Sequence, residues 1–349
     1  MALDLSALEG AYFRDLMDQP RALRETVAGL EASGPLKRLL ARLHKGEFRS
    51  LILTGMGSSC HGLIPLQLEL VDQGWKVLVE EASELFHYQE RLLTADALLV
   101  AASQSGRSAE IVRLLDLEGR KSPLLAITNS PDSPLAVRSD AAVLTRAGNE
   151  HSVSCKTYVA ALAAERWLGD RICGRDEART KSQLASAEPL IADYLGRWER
   201  HVEVFSEMLK DVRHLFLLGR GASLAAVGNG ALIIKESAHF QAEGMGSAAF
   251  RHGPFEMLGH DVMALIFAGD PKTRELNRGL WRDIRQAGGR AEWIGPEAGS
   301  APCVIPEVPA SISPLLEILP IQMATLALAL LAGREPGRFS LAGKVTDRE

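Results

Sequence analysis

Cysteine is scarce and scattered. Cys60, Cys155, Cys173 and Cys303 are the four in 349 residues, and no two stand at C-x-x-C spacing. A zinc clip needs such spacing and a disulfide framework needs a denser set, so the four read as reduced thiols of a cytoplasmic protein. Excess positive charge is also missing. The net charge is −5, which disfavours a nucleic-acid partner, because phosphate backbones are met by clustered Lys and Arg. The first residues, MALDLSALEGAYFRD, carry acids and no apolar core, so no signal peptide is expected. The most apolar stretch, 314–333, is interrupted by Glu317, Pro320 and Gln322. It is expected to be a buried core or subunit-interface helix and not a membrane span. What remains, 46% apolar and 24% charged residues, is the composition of an ordinary globular chain with a sizeable core.

A repeat organises the chain. LILTGMGSS (51–59) and LFLLGRGAS (215–223) share the pattern L-x-L-x-G-x-G-x-S at a spacing of 164 residues. The same spacing carries the run that begins LLVAAS at 98 onto VMALIF at 262. A duplicated domain of roughly 160 residues accounts for both, a common domain size. Within the first copy, SLILTG, KVLVEE, ALLVAAS, PLLAITN and AAVLTR are short apolar runs rich in β-formers. Helical spacings, including 60–74 and 108–120, separate them. Apolar strands alternating with helices indicate a parallel sheet covered on both faces. We expect a helical segment over 1–45, packed on the first copy, then domains over 46–190 and 191–349. A charged bridging helix is expected over 174–205.

The glycine loops do not read as nucleotide sites. A dinucleotide fingerprint needs a third glycine, and that place holds Cys60 in one copy and Leu224 in the other. No G-x-x-x-x-G-K-[ST] loop occurs, and no cofactor is expected. The loop SQSGRS (103–108) is more telling. Ser103, Gln104, Ser105 and Ser108 all donate to oxygen, Gly106 allows close approach, and a helix starting at SAEIVRLL would add free backbone N–H groups and a favourable dipole. Such a cradle suits a phosphate monoester. The alternative is that Ser108 merely caps the helix. The second copy has AGDPKT there instead, so one phosphate site per chain is expected.

Two further stretches stand out. In 233–254, Glu236, His239 and Glu243 would share a helix face at i, i+3 and i+7. H-E-x-x-H order is lacking, so no metal is expected. His252 precedes Gly-Pro in a constrained turn that could aim its ring. Near the C-terminus, Lys344 lies between SLAG and VT, which could cover a pocket.

Taken together, the two L-x-L-x-G-x-G-x-S strands, SQSGRS, the KE…AE…HGP stretch and the tail lysine before VT resemble the tandem sugar-isomerase (SIS) proteins. The resemblance is closest to the isomerase half of glucosamine-6-phosphate synthases and to stand-alone relatives, the SIS-type glucosamine-6-phosphate deaminases and fructosamine-phosphate deglycases. DLMDQPRALRET (15–26) is similar to the segment that opens that isomerase half. The resemblance implies an α/β fold of two tandem SIS domains, each a flavodoxin-like parallel sheet between helices. It implies that Ser59, Ser103, Gln104, Ser105 and Ser108 bind the phosphate, with Ser58 and Val153 near the sugar. It implies that Glu236 moves a proton between C1 and C2, that His252 assists ring opening, often across a dimer, and that Lys344 forms a Schiff base with the ketose. These residue types suit the chemistry: a carboxylate for proton transfer beside a carbonyl, a His near neutrality for ring opening, an unprotonated Lys for addition.

Departures are visible. Ile233 and Ala249 replace charged residues of the family, and 150–158 is one residue short before Lys156. No glutaminase segment with a cysteine nucleophile precedes the repeat, so ammonia from glutamine is not expected. The reading is an aminosugar-phosphate isomerase and deaminase acting as a homodimer on a small sugar phosphate. A deglycase, a ketose/aldose phosphate isomerase, and a non-catalytic sugar-phosphate sensor are the alternatives.

Overall fold

The computed structural model describes residues 5–341 and 343–346. Three helices open it: α1 (Ala11–Met17), α2 (Gln19–Gly29) and α3 (Gly34–His44). Ser33 caps α3, its side chain accepting from the Leu36 amide, and Leu36, Leu39, Leu40 and Leu43 form its buried stripe.

The chain divides into two compact units. One comprises Arg21–Glu150, Lys156–Glu188 and Leu341–Glu349; the other comprises Met1–Pro20, His151–Cys155 and Pro189–Ser340. The first holds five parallel strands, β1 (Ser50–Gly55), β2 (Val77–Glu81), β3 (Ala97–Ala102), β4 (Leu124–Thr128) and β5 (Ala141–Leu144), in the order β2-β1-β3-β4-β5. These are the five runs read from sequence. Every residue of β3 is buried, because each pleat face meets helices. On one face Ile52, Leu99, Ala101, Leu124 and Ala126 join α5 (Ala82–Tyr88) and α6 (Ala109–Asp116) in one core. On the other, α4 (Ser58–Asp72) packs against β1, and α8 (Lys156–Ile172), which follows the short α7 (Pro134–Arg138), packs against β4 and α4. Truncating a core residue such as Leu99 to Ala should cost about 2–5 kcal/mol.

The charged bridge is not one helix. It forms α9 (Glu177–Ala185), α10 (Ala187–Leu195) and α11 (Trp198–Leu209). Asp176 caps α9, and the chain bends again at Gly196–Arg197, where helix propensity is weakest.

The second unit repeats the topology with four parallel strands: β6 (His214–Gly219), β7 (Ala242–Gly246), β8 (Val262–Phe267) and β9 (Arg290–Ile294), ordered β7-β6-β8-β9. The 164-residue spacing places β1 on β6 residue for residue. α12 (Leu224–Ala238), the short α13 (Ser247–Phe250), α14 (Pro271–Gln286) and α15 (Ser313–Leu331) complete it. α15 is long and apolar enough to cross a membrane, but it is buried from Pro314 to Ala329, packed on α11 and α12. Of the two places expected for it, core and subunit interface, the core is the one observed, so it lends no support to a dimer.

Nor does the whole N-terminal segment pack on the first sheet. Tyr12 hydrogen-bonds Thr325 at 3.2 Å, and Gln19 and Gln322 exchange amide hydrogen bonds at 3.0 Å in both directions. Gln19 and Gln322 are fully buried, so each amide needs the other. That pairing gives the Asp-Gln-Pro segment its physical reason.

Candidate active site

In the order β2-β1-β3, the chain leaves β1 to one side and returns as β3 on the other. The crevice between the carboxyl ends of β1 and β3 is therefore the topological switch point, where ligands of such sheets bind. Both hydroxyl-bearing loops lie there. GMGSS follows β1, with Gly57 at φ +50 and Ser58 opening α4. A Cβ at Gly55 would stand 2.9 Å from the Ala102 carbonyl and 3.1 Å from the Cys60 amide, so only glycine lets the two strand ends and α4 meet this closely.

SQSGRS follows β3. Ser103 Oγ accepts from the Gly106 amide at 3.1 Å, and Ser105 Oγ accepts from the Arg107 amide at 3.2 Å. Both hydroxyl protons remain to be donated. The Gln104 carbonyl accepts from the Asn129 amide at 3.1 Å and from Thr128 Oγ1 at 3.2 Å, which pins the loop to β4. Gly106 adopts φ +61, and a Cβ there would lie 2.3 Å from Ser133 Oγ. Ser108 occupies the N-cap position of α6, yet its side chain makes no capping hydrogen bond among the described residues. The helix-cap alternative thus does not account for this hydroxyl. Ser58, Ser59, Gln104, Ser105 and Ser108 are half-buried and Ser103 is buried, a suitable setting for a ligand half sunk in the crevice.

The tail returns to the same loop. The Ala109 amide, the first of α6, donates to the Thr346 carbonyl at 3.0 Å. Lys344 Nζ lies 2.6 Å from Glu150 Oε2. Glu150, whose side chain is fully buried, also accepts from the Thr157 amide at 3.0 Å and from Thr157 Oγ1 at 2.6 Å. Glu150 was not singled out from sequence. Its signal, a lone acid opening the segment 150–158, became meaningful only once the tail was seen to fold back.

The other site residues belong to the second unit. Glu236 lies half-buried in the last turn of α12, one turn beyond the fully buried Ile233. His252 is exposed in the turn after α13, and the following Gly253 has φ +126. Val153 is 1% exposed, in a segment held by Asp15, which accepts from the His151 amide at 2.6 Å, and by Ser152 Oγ donating to the Gly337 carbonyl. The shared helix face expected for Glu236, His239 and Glu243 does not exist. α12 stops at Ala238, His239 is its left-handed cap at φ +52, and Glu243 sits on β7 opposite Phe216. No cluster of three or more metal-ligating side chains occurs among the described residues.

Two further groups of the first unit lie on or against α4, the half-buried Cys60 and the buried Glu165 of α8. Burial, reinforced by Glu81, Glu80 and Glu165, pushes the Cys60 thiol up to about 12, so it stays protonated and inert at neutral pH. Burial alone pushes the Glu165 carboxyl of α8 up to about 8. A Cβ on Gly62 of α4 would come within 3.3 Å of Glu165 Oε2, so the side chain faces that helix.

Similarity to known proteins agrees with this architecture. The SIS domain profile matches residues 66–168 and 208–294. The glutamine–fructose-6-phosphate aminotransferase [isomerizing] of Pyrococcus horikoshii is 28% identical over 358 residues, which cover 97% of this chain and 59% of the relative. That of Brucella melitensis is 28% identical over 343 residues, covering 92% and 56%. The chain thus spans little more than half the length of these relatives. The C-terminal domain of glucosamine-fructose-6-phosphate aminotransferase from Francisella tularensis shares the fold with a TM-score of 0.83 at 20% identity, over 95% of this chain and 98% of that one. Glucosamine-6-phosphate deaminase from Thermotoga maritima superposes with a TM-score of 0.75 at 18% identity, over 97% and 100%. With two matched segments and two parallel sheets of one strand order, the chain belongs to the SIS domain family.

Proposed function

We propose that the protein is a phosphosugar isomerase and deaminase converting a hexosamine 6-phosphate to a ketose 6-phosphate and ammonia. The observation that carries this reading is the uncapped hydroxyl loop at the β1/β3 switch point. Ser59, Ser103, Gln104, Ser105 and Ser108, with the amides at the start of α6, offer donors to a phosphate dianion. A phosphate arriving there competes with the Thr346 carbonyl for the Ala109 amide, so tail movement accompanies binding. Ser58 and the main chain at Val153 would meet the sugar.

In this scheme His252, from its own chain or a partner copy, gives a proton to the ring oxygen and opens the sugar. Glu236 takes the proton from C2 and returns it to C1, leaving an iminium at C2. Water adds there, ammonia departs and the ketose remains. Lys344 adds to a carbonyl only as the free amine, so its ion pair with Glu150 must part before it reacts. The same base and cradle would serve a deglycase whose substrate carries an amino acid in place of ammonia, or a simple ketose/aldose isomerase. A sensor would need the cradle without Glu236.

Glu236→Gln tests the scheme. Turnover of glucosamine 6-phosphate should fall by about 10²–10⁴-fold, while the sugar phosphate still binds. Unchanged turnover would remove Glu236 from the chemistry.

A further inference from the structure

The second sheet has its own switch point, between β6 and β8, and a cavity of about 140 Å³ opens there. Its walls come from the carboxyl ends of β6, β8 and β9, the loop before α15 and the first turns of α15. Pro271, Pro296, Ile305 and Val308 make most of it apolar. The size is close to that of the cavities of about 150 Å³ that admit one six-membered ring.

The polar groups differ from those of the first crevice. Glu317, 3% exposed, lines the cavity. Its Oε1 accepts from Ser223 Oγ at 2.9 Å and from Ser313 Oγ at 3.2 Å. Its Oε2 is buried and has no hydrogen-bond partner among the described residues. Ser223 stands 164 positions after Ser59, so the hydroxyl that offers itself to a phosphate in one unit holds a carboxyl in the other. Asp270 adds a second acid, with one oxygen accepting from the Lys272 amide at 2.7 Å. Arg274 is the one basic side chain lining the cavity, and it is paired with Glu307 at 2.9 Å. The lining therefore repels anions. It offers one buried carboxyl oxygen with no hydrogen-bond partner among the described residues.

We propose that this pocket binds a small organic ammonium ion, its charged nitrogen on Glu317 and its carbon body against the proline-rich wall. Apolar walls with one convergent charged group are the ordinary make-up of a small-molecule site. The site lies wholly within the second unit and takes no residue from the phosphate cradle.

Titration calorimetry on the full chain tests it with three ligands of one shape: cyclohexylamine, cyclohexanol and cyclohexanecarboxylate. The amine should bind saturably in the millimolar range or tighter, the alcohol more weakly and the carboxylate not at all. Glu317→Gln, isosteric and able to keep both serine contacts, should weaken the amine roughly tenfold. Ala310→Trp at the exposed rim should block it without touching the core, and Lys210→Ala, exposed at the end of α11 away from the cavity lining, should leave amine binding unchanged. No saturable amine binding, equal binding by Glu317→Gln, or carboxylate binding as well as the amine would overturn the proposal.

Discussion

The loops after β3 and β8 occupy the same place in two sheets of one topology, and they handle their polar groups in opposite ways. After β3, Ser108 sits at the N-cap of α6 without capping it. After β8, Asp270 caps α14 through the Lys272 amide. Ser59 is half-buried at the first crevice, whereas Ser223 is buried and bonded to Glu317. Both loops need a glycine in the left-handed region, Gly106 at φ +61 and Gly269 at φ +64. The backbone device is thus shared, while the side chains decide what each crevice receives. The fold supplies the place, and the residues supply the chemistry.

The glycines give the largest contrast. Gly106→Ala should collapse sugar-phosphate binding and cost about 2–3 kcal/mol of stability, since strain in φ adds to the overlap with Ser133. Gly269→Ala meets nothing nearer than Ser223 Oγ at 3.2 Å. It should cost about 1 kcal/mol and leave phosphate binding intact. Denaturant melts and equilibrium binding, run on both variants, check the pair.

Single hydroxyls come next. Ser105→Ala or Ser108→Ala should weaken sugar-phosphate binding by about 10–100-fold, the loss of one hydrogen bond to a charged group. Asp270→Ala should leave that binding unchanged and cost about 1 kcal/mol of stability through the lost cap. Equal binding losses from both loops would erase the distinction between them.

Each unit also buries a carboxyl, and their titrations sharpen the comparison further. In the fold Glu165 is pushed up to about 8 and Glu317 to about 7, in both cases mainly by burial, against about 4.3 in an unfolded chain. The folded state binds the extra proton, so stability is full below about pH 4 and is lost as pH rises toward the folded values. Glu165→Gln should flatten the fall in melting temperature between pH 5 and 8.5. Glu317→Gln should do so less, because its shift is smaller. An unchanged slope in Glu165→Gln would mean its carboxyl is already ionised at neutral pH.

The tail comes last. Lys344→Ala breaks one ion pair whose lysine is 24% exposed. Because the Glu150 it leaves behind is fully buried and keeps only its other hydrogen bonds, such as those from Thr157, the melting temperature should fall by a few degrees, and protease sensitivity after Ser340 should rise, read by limited proteolysis.

Much of this was legible in the sequence because it rests on local pattern. The five strands of the first sheet are apolar runs ended by turn residues, and the repeat at 164 residues marked β6 and β8. The SQSGRS loop was visible as donors at a strand end. What escaped was non-local. In the bridge, α9 packs on α8 and α11 on α15, contacts that the charge pattern does not carry, and Gly196 eases the second break. The helical face of Glu236, His239 and Glu243 failed because His239 takes the left-handed cap that ends α12, and Glu243 lies in β7, which starts at Ala242. Glu150 and Glu317 became notable only through partners 194 and 94 positions away.

The most direct test is the stoichiometry of products from purified protein and glucosamine 6-phosphate. The proposed function expects ammonia and fructose 6-phosphate to appear in equal amounts, and both to vanish in Glu236→Gln. Sugar phosphate bound without either product would contradict it and leave the cradle serving a deglycase or a sensor.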